Sequence, residues 1–251
     1  MWSRGKGARV RQEELRPLAE LNDAAAAHLA NDRADAAVPL FERALEGCDI
    51  RLGASAPDTL IVAGNLAAAL VAVGRIPEGV ERLTANLAER VRVFGDDDPR
   101  TLTAGDALST AYRLAGRIDE ALALAGRVTA DRRRILGPAH PDTLTSRMNM
   151  ALARAAAGDV ESAATLLQAA LNDAEQAHGP RHAHTIALRT NVAACHALLG
   201  RTEQAKEMFE RAAGDCVALR GRNHPDTVAI YDDLANIHTP AKLGIGEPVP
   251  A

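Results

Sequence analysis

Aromatic residues are nearly absent. Trp, Tyr and Phe together make up 2% of the 251 residues, which leaves nothing to build a base-stacking platform for single-stranded nucleic acid. The same scarcity argues against an all-β fold, because strands favour aromatic and β-branched residues. Cysteine is scarce too. Cys48, Cys195 and Cys216 are too few for a disulfide framework and match no metal-ligand spacing; they read as small buried hydrophobes in a reducing compartment. No charge sign dominates. Lys and Arg number 29 against 33 Asp and Glu, a net charge of −4, so no basic excess points to a phosphate backbone. No apolar run reaches the roughly 20 residues that span a bilayer. The start, Met1 to Gly7, is basic without an apolar segment, which argues against a secretory signal. A cytoplasmic protein with neither nucleic acid nor membrane as partner is expected.

What is abundant is alanine, 53 residues, the strongest helix former. The chain also repeats itself. Pro-Asp-Thr begins at Pro57, Pro141 and Pro225, at intervals of 84. Halving that interval finds Pro99-Arg100-Thr101 and Ala183-His184-Thr185, so threonine holds one position at Thr59, Thr101, Thr143, Thr185 and Thr227. One glycine set falls at Gly74, Gly116, Gly158 and Gly200, a second at Gly53, Gly95, Gly137, Gly179 and Gly221, and every interval is 42. Three independent markers with one period identify a repeat architecture.

Residues 138–179 give one unit. Pro141 opens a helix at the position where its missing N–H costs nothing, and Asp142 complements the helix dipole. Leu144, Met150, Ala151 and Ala157 supply apolar and small positions, and Gly158-Asp159 breaks the chain. A second helix is predicted from about Glu161 to His178, with Ala163, Leu166, Leu167, Ala170 and Leu171 on one face. Each unit is thus a pair of antiparallel helices that must bury its apolar face against its neighbours. At the crossings side chains must be small. Ala67, Ser109, Ala151, Ala193 and Ala235 hold one such position, and Ala37, Gly79, Ala121, Ala163 and Ala205 another.

Small residue, helix-breaking glycine, small residue, then an apolar residue four further on (Phe41, Leu83, Leu167, Phe209) resembles a tetratricopeptide repeat. The 42-residue period and the His-Pro-Asp-Thr opening at His140 and His224 resemble the long-helix variant of kinesin light chains. That variant is also common in bacterial, especially actinobacterial, regulatory proteins. The resemblance covers about residues 12–238 and implies an all-α fold, an alpha-alpha superhelix of about 11 helices. Its expected parts are an arm at 1–11, units at 12–53, 54–95, 96–137, 138–179 and 180–221, a capping helix at 222–238, and a disordered tail at 239–251 carrying three prolines. The first unit departs from the pattern, with no Pro-Asp-Thr and with Asn31-Asp32 for the glycine turn. The usual first-helix aromatic survives only as Tyr112.

In this family first helices line a concave groove that holds a protein or peptide segment. A recurrent groove Asn, which can donate to a peptide C=O and accept from an N–H, maps to Asn65, Asn149 and Asn191. The corresponding residue is Ala107 in the third unit and Asp233 in the last. The same resemblance places Asp106, Arg113, Met148, Thr190 and Asp232 in the groove, among small residues such as Gly64 and Ala68. These Asn could equally sit on a solvated face or tie one helix to the next. The lining lacks the Lys/Arg cluster that grips a terminal carboxylate. Asp23, Asp106, Asp232 and Asp233 favour a neutral or mildly basic partner. Arg147 and Arg189 lie two residues before groove Asn, about 200° round the helix, and are expected in packing or in salt bridges between repeats.

No catalytic constellation is visible. His140, His182 and His224 share one repeat position, so repetition explains them. His182 and His184 find no third metal ligand. Cys195 and His196 are adjacent on a helix and diverge. Arg132-Arg133-Arg134 reads as a solvated helix end. No phosphate loop, Gly-x-Gly-x-x-Gly or Gly-x-Ser-x-Gly occurs. The expectation is a non-catalytic, cofactor-free scaffold or adaptor. The alternative is the sensor module of a signalling regulator whose ATPase or DNA-binding domain lies outside this sequence. A peptide-sensing transcription factor would need a helix-turn-helix, for which the residues ahead of the repeats are too few.

Overall fold

The computed structural model describes residues 6–31 and 33–239. Most of the expected tail, the first five residues of the arm and Asp32 of the Asn31-Asp32 turn lie outside the described residues. Among those described there are eleven α-helices and no strand: α1 Lys6–Leu29, α2 Ala34–Leu52, α3 Pro57–Ala72, α4 Ile76–Phe94, α5 Pro99–Leu114, α6 Ile118–Leu136, α7 Pro141–Ala156, α8 Val160–His178, α9 Ala183–Leu198, α10 Thr202–Arg220 and α11 Pro225–Ala235. α11 stops three residues short of the expected His238. Asn236 ends it by donating its side-chain amide to Asp232 O at 2.8 Å.

The helices form two compact units, one holding α1–α5 and the other α6–α11. Within each, consecutive helices pack, and so do successive first helices: α1 with α3, α3 with α5, and α7 with α9. Both glycine sets have φ between 72° and 92°. At Gly137 and Gly158 an added Cβ would meet nothing within 4 Å, so the left-handed backbone, not space, requires glycine there.

The small-residue positions do the opposite work. Ala67, Ala151 and Ala193 are 0% exposed, as are Ala37, Ala121, Ala163 and Ala205. A Cβ on Gly79 of α4 would lie 3.0 Å from Ala67 O and 2.4 Å from Val71 Cγ2 on α3. Backbones therefore approach closely at this crossing. The apolar residue four further on (Phe41, Leu83, Leu167 or Phe209) is buried in every case.

Buried polar groups tie helices together. Arg189 of α9, 0% exposed, donates to Asp215 of α10 and Glu175 of α8, both at 2.6 Å. Arg147 of α7 reaches Asp173 of α8 at 2.6 Å. Arg189 thus bridges two repeats, whereas the ion pair of Arg147 stays within its own unit, 138–179. Arg132 is a correction. It is not solvated but 3% exposed, and its Nη1 donates to Asp142 O at the start of α7 at 2.7 Å. Arg90, one repeat earlier, is buried likewise and donates to Arg100 O and Leu60 O at 2.7 and 2.8 Å. Each guanidinium lies under the start of the next first helix, which is where position in the repeat, not membership of an arginine run, puts it.

Ala163→Leu should lower stability by about 1–3 kcal/mol through overpacking, seen as a lower urea midpoint. Ala177→Leu, on the exposed side of the same helix, should leave it nearly unchanged. Equal midpoints for Ala163→Leu and the parent would contradict close approach at the crossings.

Candidate functional site

The expected binding residues sit on first helices, and two of them, Asn65 and Asn191, reach back to the preceding first helix. In the compact unit of α1–α5, Asn65 of α3 is half-buried and its Nδ2 donates to Asn22 Oδ1 of α1 at 3.0 Å. On α5, Asp106 is buried and Arg113 half-buried, and burial pushes the Arg113 guanidinium below its ordinary pKa. In the compact unit of α6–α11, Asn191 of α9 is 6% exposed. Its Nδ2 donates to Ala187 O at 2.9 Å and to Met148 Sδ of α7 at 3.4 Å. Met148 belongs to the hydrophobic core, at 2% exposure. Asn149 is 7% exposed. Thr190 is half-buried and bonds Ile186 O at 3.0 Å. On α11, Asp232 is exposed and Asp233 half-buried.

Asn65 and Asn191 therefore share one geometry. Asn65 gives one N–H and Asn191 two to protein neighbours, while neither Oδ1 makes a hydrogen bond among the described residues. Each reaches 43 residues back, not 42. Asn22 was missed for that reason: the Asn position of the first unit falls on Asp23, and the residue that meets Asn65 is the one before it.

The histidines are helix caps. Nδ1 of His140, His182 and His224 accepts the N–H of Asp142, His184 and Asp226 at 3.2, 3.3 and 3.3 Å, as Asp98 accepts from Arg100 at 2.8 Å. His178, His182 and His184 stack in series, with centroids 4.6 and 5.4 Å apart. Among the described residues no group of three or more His, Cys, Asp or Glu could hold a metal ion. Cys195 is wholly buried, and burial pushes its thiol up to about 11, which leaves it a poor nucleophile. No helix among the described residues is long and apolar enough to cross a membrane.

A tetratricopeptide repeat family model matches residues 58–134 and 142–215, more than half of the chain. The chain belongs to the tetratricopeptide repeat family. Among solved structures it is similar to a kinesin light chain-type protein of nearly identical TPR-like repeats from Podosopora anserina, at 25% identity and a TM-score of 0.67, covering 82% of this chain and 97% of that one. A thermophilic TPR protein of Thermus thermophilus is similar at 20% identity and a TM-score of 0.62, over 88% and 98% of the two chains. Aspartyl phosphate phosphatase F of Bacillus subtilis shares the fold at 10% identity and a TM-score of 0.70, over 92% of this chain and 58% of that one. No curated protein matches. The two matched stretches hold most of α3–α6 and of α7–α10 of this tetratricopeptide repeat protein.

The stacked histidines give the repeats a pH dependence. Burial first, then neighbouring imidazoles, holds His182 and His184 below the ordinary histidine pKa; Asp142, facing His184, works the other way. In the window below an unfolded value of about 6.5 the unfolded chain binds more protons. Stability is therefore present above that value and lost as pH falls. Thermal midpoints should drop between pH 7.5 and 5.5, and His182→Asn, which keeps a capping side chain without a titrating ring, should flatten the drop. A drop of the same size in His182→Asn would remove this ring from the account.

Proposed function

We propose that this tetratricopeptide repeat protein is a non-catalytic, cytoplasmic scaffold or adaptor that binds a protein or peptide segment along its first helices, the face that is concave in the family. One observation carries the reading. The amide of Asn65 is held by one N–H and that of Asn191 by two, and in both Oδ1 is uncommitted among the described residues, so each is a pre-oriented acceptor for a peptide N–H. Asn149 holds the same repeat position on α7. The engaged donors also fix the rotamers in advance, which lowers the entropy cost of binding. Exposed Asp232 suits a neutral or mildly basic segment, and the depressed nucleophilicity of Cys195 suits a protein without catalysis.

The test begins with affinity purification from the native cell and identification of the bound protein by mass spectrometry. Asn65→Ala/Asn149→Ala/Asn191→Ala should then bind it at least about tenfold more weakly, since each lost hydrogen bond contributes about 0.5–1.5 kcal/mol. Circular dichroism should confirm that the variant stays helical. Unchanged affinity in a folded variant would remove these residues from the interface.

A further inference from the structure

The second helices carry a surface of another kind. An open cavity of about 470 Å³ lies between α2 and α4, over Leu66 of α3. Its apolar floor is completed by Leu45 and Ile50 of α2. Leu45 is only half-buried, whereas its repeat equivalents Leu87, Thr129, Leu171 and Ala213 are all buried. Ile50 is 77% exposed, the highest of the exposed large hydrophobics among the described residues. Its equivalents are Arg92, Arg134, Gln176 and Ala218, so stacking the repeats does not demand an apolar residue there.

The wall of the same cavity is acidic. Glu42, Glu46 and Asp49 line it, all of them on α2 and within two turns of one another. Like charges at that spacing oppose each other along a helix. Several carboxylates elsewhere on second helices are answered locally: Glu78 by Arg75 and Arg82, Glu89 by Arg92, Glu120 by Arg117. Among the described residues no such ion pair reaches the three on α2. Arg82, on the opposite wall, is engaged by Glu78 at 3.1 Å. The repeat does not require acid here either, since the equivalents of Glu46 are Ala88, Ala130, Asn172 and Gly214.

We propose that the α2–α4 groove is a second binding surface, separate from the first-helix face, and that its occupant is a basic amphipathic helix of a partner protein. Apolar side chains of that helix cover Leu45, Leu66 and Ile50, and Lys or Arg residues face Glu42, Glu46 and Asp49. The three carboxylates span about 10 Å along α2 at 1.5 Å per residue, which matches basic residues at positions i, i+4 and i+7 of a helix laid alongside. This is helix-in-groove recognition with charge selecting the partner.

The probe is an 18-residue fluorescent peptide with leucines on one helical face and lysines on the other, titrated against the full chain by anisotropy in 150 mM salt. A peptide of the same pattern with glutamates for lysines is the comparison. The lysine peptide should bind, and the glutamate peptide should not. Glu42→Gln/Glu46→Gln/Asp49→Asn should weaken the lysine peptide at least tenfold, and Ile50→Ser should weaken it severalfold. Two controls should stay within twofold. Asp119→Asn/Glu203→Gln/Glu207→Gln removes the same charge from sites elsewhere, and the triple Asn variant removes the first-helix acceptors. No binding, or equal losses in the α2 and control charge variants, would overturn the proposal. Loss confined to the Asn variant would overturn it in favour of the first-helix face.

Discussion

Helices can stack at a 42-residue period only if something small stands where they cross. At Gly79 the geometry shows this directly, with the backbone of α3 so near that a single added carbon would crowd Ala67 O. The alanines at the same position in other units are wholly buried. Bulkier side chains would push the helices apart and uncover the apolar residues one turn on, among them the fully buried Phe41 and Phe209. Close approach therefore comes first, and the burial that stabilises each pair follows from it. The composition follows as well: alanine is plentiful at crossings, and the few aromatics have little space to fill.

Close approach also decides where polar groups can go. With backbones near one another, a long side chain from one helix reaches the next. Arg189 joins three helices through Glu175 and Asp215, and Arg90 caps carbonyls of two first helices. The histidine caps fix the start of α7, α9 and α11. These contacts set how each first helix is presented. Asn65 and Asn191 take their orientation from the same source, since each is held by a neighbour before any ligand arrives.

Whatever recurs at a fixed interval was legible in the sequence. The helix starts at Pro57, Pro99 and Pro141, the left-handed glycines and the small crossing residues all repeat in place, and each has a local cause. Contacts between different positions of the repeat were not legible. Asn65 meets Asn22 at an offset of 43, so that pair does not stand out when one position is read down the repeats, and the partner of Arg189, Asp215, lies 26 residues on, although Arg147 and Asp173 repeat the pair one unit earlier. Arg132 was misread because an arginine run suggests solvent, whereas its repeat position lies under α7. The α2–α4 groove was invisible for the opposite reason. Glu46 and Ile50 do not repeat, and only three dimensions bring them beside Leu66. Residues that break the period are where this fold has freedom to specify a partner.

Under the proposed function, first-helix asparagines receive the main chain of a bound segment. A crystal structure of the full chain with its captured partner tests this most directly. A partner backbone N–H is expected within hydrogen-bond distance of Oδ1 of Asn65 or Asn191. A partner seated wholly away from α3, α7 and α9, with both oxygens left to solvent, would contradict it.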